Sequence, residues 1–297
     1  MSSSKLQSLI LPIPPTPPSL RVLASGSAGN CSILRTTNST ILIDAGLSPR
    51  RTRAHLADLG LSLDDLDAIL LTHLDRDHFH VGWAKALPPS LPVYTHAAHA
   101  SCAHARGLPR RLGRSFQDTI ELSRDYCIFA TLSAHDQLGT AAFRFDFTTG
   151  ASLGYATDLG HITEKLVEHL DAVDVLAIES NYCPRLQADA DRPDFLKQRV
   201  MGGSGHLSNQ ECAQLITEVA PREHVILLHL SRQCNDPALI TRLHARKPYT
   251  LTLTSQTEPT PWITITPPPE PVRKAAPRPI VRGSLLDENR RMVSAKP

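Results

Sequence analysis

The segment Thr72-His73-Leu74-Asp75-Arg76-Asp77-His78 holds four potential metal ligands, His73, Asp75, Asp77 and His78, within six residues, directly after the mostly apolar run Leu66 to Leu71. Imidazole nitrogen and carboxylate oxygen suit Zn²⁺, Mn²⁺ and Fe²⁺, and a loop leaving the end of a buried strand can turn several such groups toward one point. The segment therefore predicts a metal site. Further candidates stand at the tips of other apolar runs: His135 follows Ile128 to Leu132, Asp158 follows Leu153 to Ala156, and His229 follows Val225 to Leu228. A single histidine at a strand end is more often a hydrogen-bonded structural residue than a ligand, so these three gain weight only from their order along the chain.

The elements that must carry these residues read as an alternation. Apolar and β-branched runs at Arg21 to Leu23, Cys31 to Leu34, Thr40 to Ile43, Ala68 to Leu71, Pro92 to Tyr94, Ile128 to Leu132, Phe143 to Phe147, Leu153 to Ala156, Val173 to Ile178 and Val225 to Leu228 predict strands. Helices are expected over Pro49 to Leu59, with Ser48 as N-cap and Gly60 at its end, over Thr163 to His169, and over Asn209 to Val219 after Ser208. Early hairpin-like strands followed by strand-helix alternation give an α/β class with two sheets covered by helices. Residues 21–257 are expected to form one domain, between a flexible proline-rich leader (1–20) and a disordered, proline-rich, basic tail (258–297).

A hydrophobic content of 41% with 20% charge is ordinary for a globular protein and excludes the low-complexity and fibrous classes. The apolar stretch Leu9 to Ile13 is broken by Pro12 and is too short for a signal peptide or membrane span. The six cysteines contain no Cys-x-x-Cys pair, which favours a reducing, cytoplasmic setting without membrane attachment. The net charge of +2 is uneven: from Pro267 onward seven basic residues face three acidic ones, so the remainder is near neutral.

The spacing His-x-Asp-x-Asp-His, followed in order by His135, Asp158 and His229, resembles the ligand order of the metallo-β-lactamase superfamily, with Asp75 where the family usually has its second histidine. Within it, Ser25 to Cys31, Leu42 to Leu47, Ala156 to His161, Glu179-Ser180-Asn181, Leu196 to Arg199 and Gly205 to Asn209 resemble blocks of the YycJ/WalJ group, which is related to ribonuclease Z. That resemblance implies a four-layer αββα sandwich with two divalent metal ions at one edge, Zn²⁺ first among them, and exonucleolytic activity on DNA. It assigns His73, Asp75 and His135 to one metal, Asp77, His78 and His229 to the other, and Asp158 as the bridge. Two cations sharing a water would acidify it to hydroxide and stabilise charge on an attacked phosphate. By the same resemblance Asp77 belongs to the catalytic set and His206 protonates the leaving oxygen, a task suited to imidazole; capping of the following helix is the competing role for His206. Asp44 is expected to orient the histidine-rich loop. Asn30 in its glycine-rich turn, Arg199, Ser231 and Arg232 are the expected substrate contacts, with Lys197 adding charge nearby.

Two departures from the family pattern bear on chemistry and specificity. A carboxylate at Asp75 hardens the first ligand set and shifts preference toward Mn²⁺ or Fe²⁺, and Tyr182-Cys183 stands where relatives commonly have His-Asp. The expected function is a metal-dependent hydrolase, a phosphodiesterase or nuclease with nucleic acid as substrate. The fold also hosts hydrolases of small esters, lactones and thioesters, and a non-enzymatic regulator with a degenerate metal site is the third alternative. Oligomeric state is not legible.

Overall fold

The computed structural model describes residues 16–267. In chain order β1 (Ser19–Ala24), β2 (Cys31–Arg35), β3 (Thr40–Ile43), β4 (Ala68–Leu70), β5 (Val93–His96) and β6 (Gly113–Phe116) build a first sheet. A second is built by β7 (Thr119–Ile120), β8 (Tyr126–Ser133), β9 (Thr140–Phe147), β10 (Ser152–Ala156), β11 (Val175–Glu179), β12 (His224–Leu228) and β13 (Thr250–Leu253). Finally β14 (Ile263–Thr264) returns to the first sheet, pairing antiparallel with β1. The helices are α1 (Pro49–Ala57), α2 (Trp83–Ala86), α3 (Ala100–Ala105), α4 (Glu164–Leu170), α5 (Pro184–Asp189), α6 (Asp194–Met201), α7 (Asn209–Val219) and α8 (Pro237–Leu243).

Period-2 alternation assigns the side chains of the central strands to two different cores. Ile41 and Ile43 of β3, Ala68 and Leu70 of β4, Val175 and Ala177 of β11, and Ile226 and Leu228 of β12 meet in one core between the sheets. Leu42 and Ile69 face outward against Leu56 of α1 and Trp83 of α2. Leu176, Ile178, Val225 and Leu227 face outward against Leu166 of α4 and against Cys212, Leu215, Ile216 and Val219 of α7, which recur at helical spacing. Strands buried on both faces read as unbroken apolar runs, and this is why the central ones were legible. The arrangement is the expected αββα sandwich.

Strands β3, β4, β5 and β6 run parallel, as do β10, β11, β12 and β13. Strand β8 points the same way as β10, each being antiparallel to β9. The carboxyl ends of both parallel sets are where loops can converge on a ligand.

Two boundaries differ from expectation: β1 begins at Ser19, inside the expected leader, and the C-terminal boundary shifts as well. Ile263 and Ile265 are buried, Thr260 donates its backbone N-H to Val22 O and Ile265 to Pro18 O, so residues 260–265 of the expected tail pair with the first sheet. Pairing with β1 removes the exposed edge that β1 would otherwise present. The rest of the expected tail (268–297), and the expected leader up to residue 15, lie outside the described residues. No helix among the described residues is long and apolar enough to cross a membrane.

Candidate metal centre

Three loops at the carboxyl ends of the first sheet are tied together by their backbones. Asn30 donates its N-H to Asp77 O at 2.7 Å, Gly46 to Asn30 O at 2.8 Å and Ala45 to His78 O at 2.8 Å. Gly46 permits this approach, because a Cβ there would lie 1.7 Å from Asp77 O. From the second sheet, His229 is held by its N-H donating to Ser25 Oγ at 2.8 Å and its carbonyl accepting from Asn181 Nδ2 at 2.9 Å. Asp44, Asp158 and His229 adopt left-handed backbone, with φ of 62°, 54° and 54°. Such conformations persist where surrounding contacts over-determine them, and they cluster at functional sites.

His78 is clamped from both sides. Its Nδ1 donates to Asp44 Oδ2 at 2.7 Å, and its Nε2 lies 2.8 Å from Asp158 Oδ2. Asp44 also accepts from the Thr72 N-H at 2.9 Å, so one carboxylate holds the histidine-rich loop at two points. His229 Nε2 lies 3.2 Å from Asp77 Oδ2 and 3.6 Å from Asp158 Oδ1. Donor atoms of Asp77, His78 and His229 thus converge within 4.8 Å of one another, and those of His73, His135 and Asp158 do the same.

His73 has its Nδ1 3.0 Å from Thr72 Oγ1, while its buried Nε2 has no hydrogen-bond partner among the described residues. Burial, with His78 beside it, holds its imidazole well below the usual range, and the neutral form is the one that ligates metal. Burial opposes charge on His229 too, but Asp158, Asp77 and Glu179 outweigh it and push the imidazole up to about 9. The same balance, led after burial by Asp158 and Asp44, raises His78 well above its ordinary value. These carboxylates create a demand for positive charge that a cation bound in place of the protons would meet. An orphaned imidazole nitrogen and an excess of buried carboxylate both fit a metal centre.

Asp75 does not join His73. Its carboxylate is 37% exposed, 3.9 Å from His135 Nε2 and 3.7 Å from Arg106 Nη2, and its ligand-distance neighbours are His135 and Asp136. The shorter aspartate side chain leaves the carboxylate at the rim, where Arg106 attracts it. Asp158 takes the third place beside His73 and His135 instead.

His206 Nδ1 donates to Glu179 Oε1 at 2.6 Å and faces Asp158 Oδ1 at 3.2 Å. Glu179 is fully buried at the end of β11, and its other oxygen accepts the Leu159 N-H at 2.7 Å. Burial opposes a charge on His206, but Glu179 and then Asp158 outweigh it and hold the ring well above its ordinary range. Helix α7 is capped by Ser208 in a capping box with Glu211, which leaves His206 free of that task. Glu179 and Asn181, whose Nδ2 lies 2.8 Å from His229 Nδ1, stand in a block that carries the family resemblance, but the sequence assigns neither a role at the site. The available signal was a carboxylate ending the apolar run Val175 to Ile178.

A front chamber of about 750 Å³ opens over the site, lined in part by Asp77, His135, Asp158, His206 and His229. Arg76, Arg106 and Arg199 also line it, although Arg199 is paired with Asp136 at 2.6 Å. Asn30 is not a substrate contact: it is buried, and its amide lies 2.9 Å from His78 Nε2, supporting the loop that carries His78. Ser231 and Arg232 line an adjoining groove and not this chamber. Lys197 spends its ammonium on Ala188 O at 2.7 Å.

With this geometry in place, comparisons give relatives. The beta-lactamase superfamily domain matches residues 39–230. Exodeoxyribonuclease WalJ of Streptococcus pneumoniae serotype 2 is 29% identical over 221 residues, covering 72% of this chain and 82% of WalJ. Exodeoxyribonuclease YycJ of Bacillus anthracis is 27% identical over 219 residues, covering 72% and 83%. Among solved structures, the metallo-beta-lactamase fold protein YhfI of Bacillus subtilis matches with a TM-score of 0.64 at 17% identity, over 83% of this chain and 100% of YhfI.

Proposed function

The chain belongs to the beta-lactamase superfamily, and from that premise we propose that it is a metal-dependent phosphodiesterase acting on DNA. The observation that carries this reading is the convergence of His73, His78, His135, His229, Asp77 and Asp158 at one end of both sheets, under a chamber that also presents three arginines. His73, His135 and Asp158 would hold one divalent ion, Asp77, His78 and His229 a second, and Asp158 lies between them, with Zn²⁺ the first candidate. Such ions would supply Lewis-acid polarisation of the phosphate and acidification of a water. The relatives named exodeoxyribonuclease support DNA as the substrate. A guanidinium-lined chamber suits a phosphodiester better than an uncharged ester, lactone or thioester.

The chain's own groups account for proton movement. As water adds across the P-O bond, its oxygen joins phosphorus and its proton passes to the half-buried Asp77 carboxylate. The departing oxygen takes a proton from His206, whose Nδ1 is anchored on Glu179 Oε1. Arg76 and Arg106 offer charge to the phosphate's free oxygens. Purified protein loaded separately with Zn²⁺ and Mn²⁺ is expected to cleave bis(p-nitrophenyl) phosphate and labelled DNA, and to lose both activities on chelation. Confirmed metal loading without cleavage of either substrate would sink the reading.

Asp44→Asn tests the support that Asp44 gives to the histidine-rich loop through His78 and Thr72. Outer carboxylates that orient ligating histidines are typically worth about 10–100-fold in metal affinity, and competition with a chromogenic chelator should show a loss of that size. Unchanged affinity would mean that Thr72 and Asn30 orient His78 without Asp44.

A further inference from the structure

Beside the metal centre lies a second chamber of about 630 Å³, lined by His73 and His135 of the site and by His99, Cys102, Gln137 and Leu138. It shares Asp75, Arg106, His135, Asp136 and Arg199 with the front chamber, so the two spaces adjoin along the pairs Asp75–Arg106 and Asp136–Arg199. It shares no lining residue with the groove around Arg192 and Arg232 or with the hollow at Thr257. The front chamber, by contrast, continues through Ser27 into a groove of about 490 Å³ that includes Arg192 and Arg232, and from there into a further hollow of about 310 Å³ ending at Thr257.

A polymer whose scissile phosphate lies at the metal centre must leave it on two sides. The side that runs on through three connected spaces has room for several nucleotides. The other side offers one half-open space, within the range of about 300–1,000 Å³ that takes one small ligand. Its walls have the makings of a nucleotide site. Leu138 is 42% exposed and offers an apolar face to a base or sugar, Gln137 offers a side-chain amide, and Arg106 offers charge to a phosphate. His99 is 1% exposed, and while its Nε2 lies 3.0 Å from Gly139 O, its Nδ1 has no partner among the described residues.

We propose that the chamber formed by His99, Cys102, Arg106, Gln137 and Leu138 receives the terminal nucleotide of a DNA strand, while the groove past Ser27, Arg192 and Arg232 carries the strand's body. The proposal rests on the phosphodiesterase reading and adds the direction in which substrate threads the site. It also places Ser231 and Arg232 beside the body of the strand, away from the scissile bond.

Filling the chamber separates its role from that of the metal centre. In Leu138→Trp the rate on a linear single-stranded oligonucleotide, divided by the rate on bis(p-nitrophenyl) phosphate, should fall about tenfold or more, because the small substrate needs no room for a terminal base. A second readout is independent of catalysis: deoxythymidine monophosphate should slow alkylation of Cys102, followed by peptide mass spectrometry, without slowing that of the exposed Cys127. An unchanged rate ratio, or Cys102 alkylation indifferent to the nucleotide, would overturn the proposal. If the wild type hydrolyses neither substrate, the phosphodiesterase reading fails, and the alkylation readout still decides whether the chamber binds a nucleotide.

Discussion

Asp158→Ala is expected to cause the largest loss of any single substitution, lowering phosphodiester hydrolysis by at least about 10³-fold, equivalent to roughly 4 kcal/mol of transition-state stabilisation. The reason is that its two oxygens serve both ligand groups. Oδ2 lies 2.8 Å from His78 Nε2, Oδ1 lies 3.6 Å from His229 Nε2, and the residue also converges with His73 and His135. No neighbouring carboxylate can substitute: Asp75 sits at the rim with Arg106, and Glu179 is committed to His206 and the Leu159 N-H. Metal content should fall with activity. A ligand that binds only the folded state raises stability, by about 2.7 kcal/mol at a hundred times its Kd, so a chelator should lower the thermal midpoint of the wild type and have little effect on the variant. Two equivalents of tightly held metal in active Asp158→Ala protein would show that the two donor groups are independent of this residue.

How much of this could be read from the sequence depended on where each residue's environment is encoded. Strands buried on both faces, such as Val225 to Leu228, carry their burial in continuous apolar runs. The edge strands do not: β6 (Gly-Arg-Ser-Phe) is placed by β5, the two-residue β7 by the adjacent β8, and the two-residue β14 by β1 at the other end of the described chain. Helix α6 buries none of its residues and so has no apolar stripe to announce it. At the site, residue type and chain order marked the histidines and Asp158, because left-handed turns after strands bring strand-end residues to one edge. The spacing could not say that Asp75 stays at the rim of the site, which is decided by side-chain length and by Arg106, a residue 31 positions away in the chain. Nor could it show that Asn30 is consumed by contacts to Asp77 and His78, since an amide in a glycine-rich turn looks the same whether it faces a ligand or a neighbouring loop.

His206→Ala should produce a loss that depends on the leaving group. If His206 protonates the departing oxygen, its removal should slow DNA cleavage by about 10²–10⁴-fold, because a deoxyribose alkoxide is a poor leaving group without a proton. Hydrolysis of bis(p-nitrophenyl) phosphate should fall far less, since nitrophenolate departs unprotonated near neutral pH. Glu179→Gln gives the same pattern in weaker form: the side chain keeps its shape in the buried slot beneath Leu159, but the charge that holds the proton on His206 is gone. A purely structural role would slow both substrates together, because a displaced His206 loop would move Gly205, whose carbonyl accepts from His135 Nδ1 at 2.9 Å, and with it a ligand of the first metal group. The ratio of the two rates thus distinguishes a proton donor from a prop. A parallel fall on both substrates would remove His206 from the proton inventory and leave water as the source of the departing oxygen's proton.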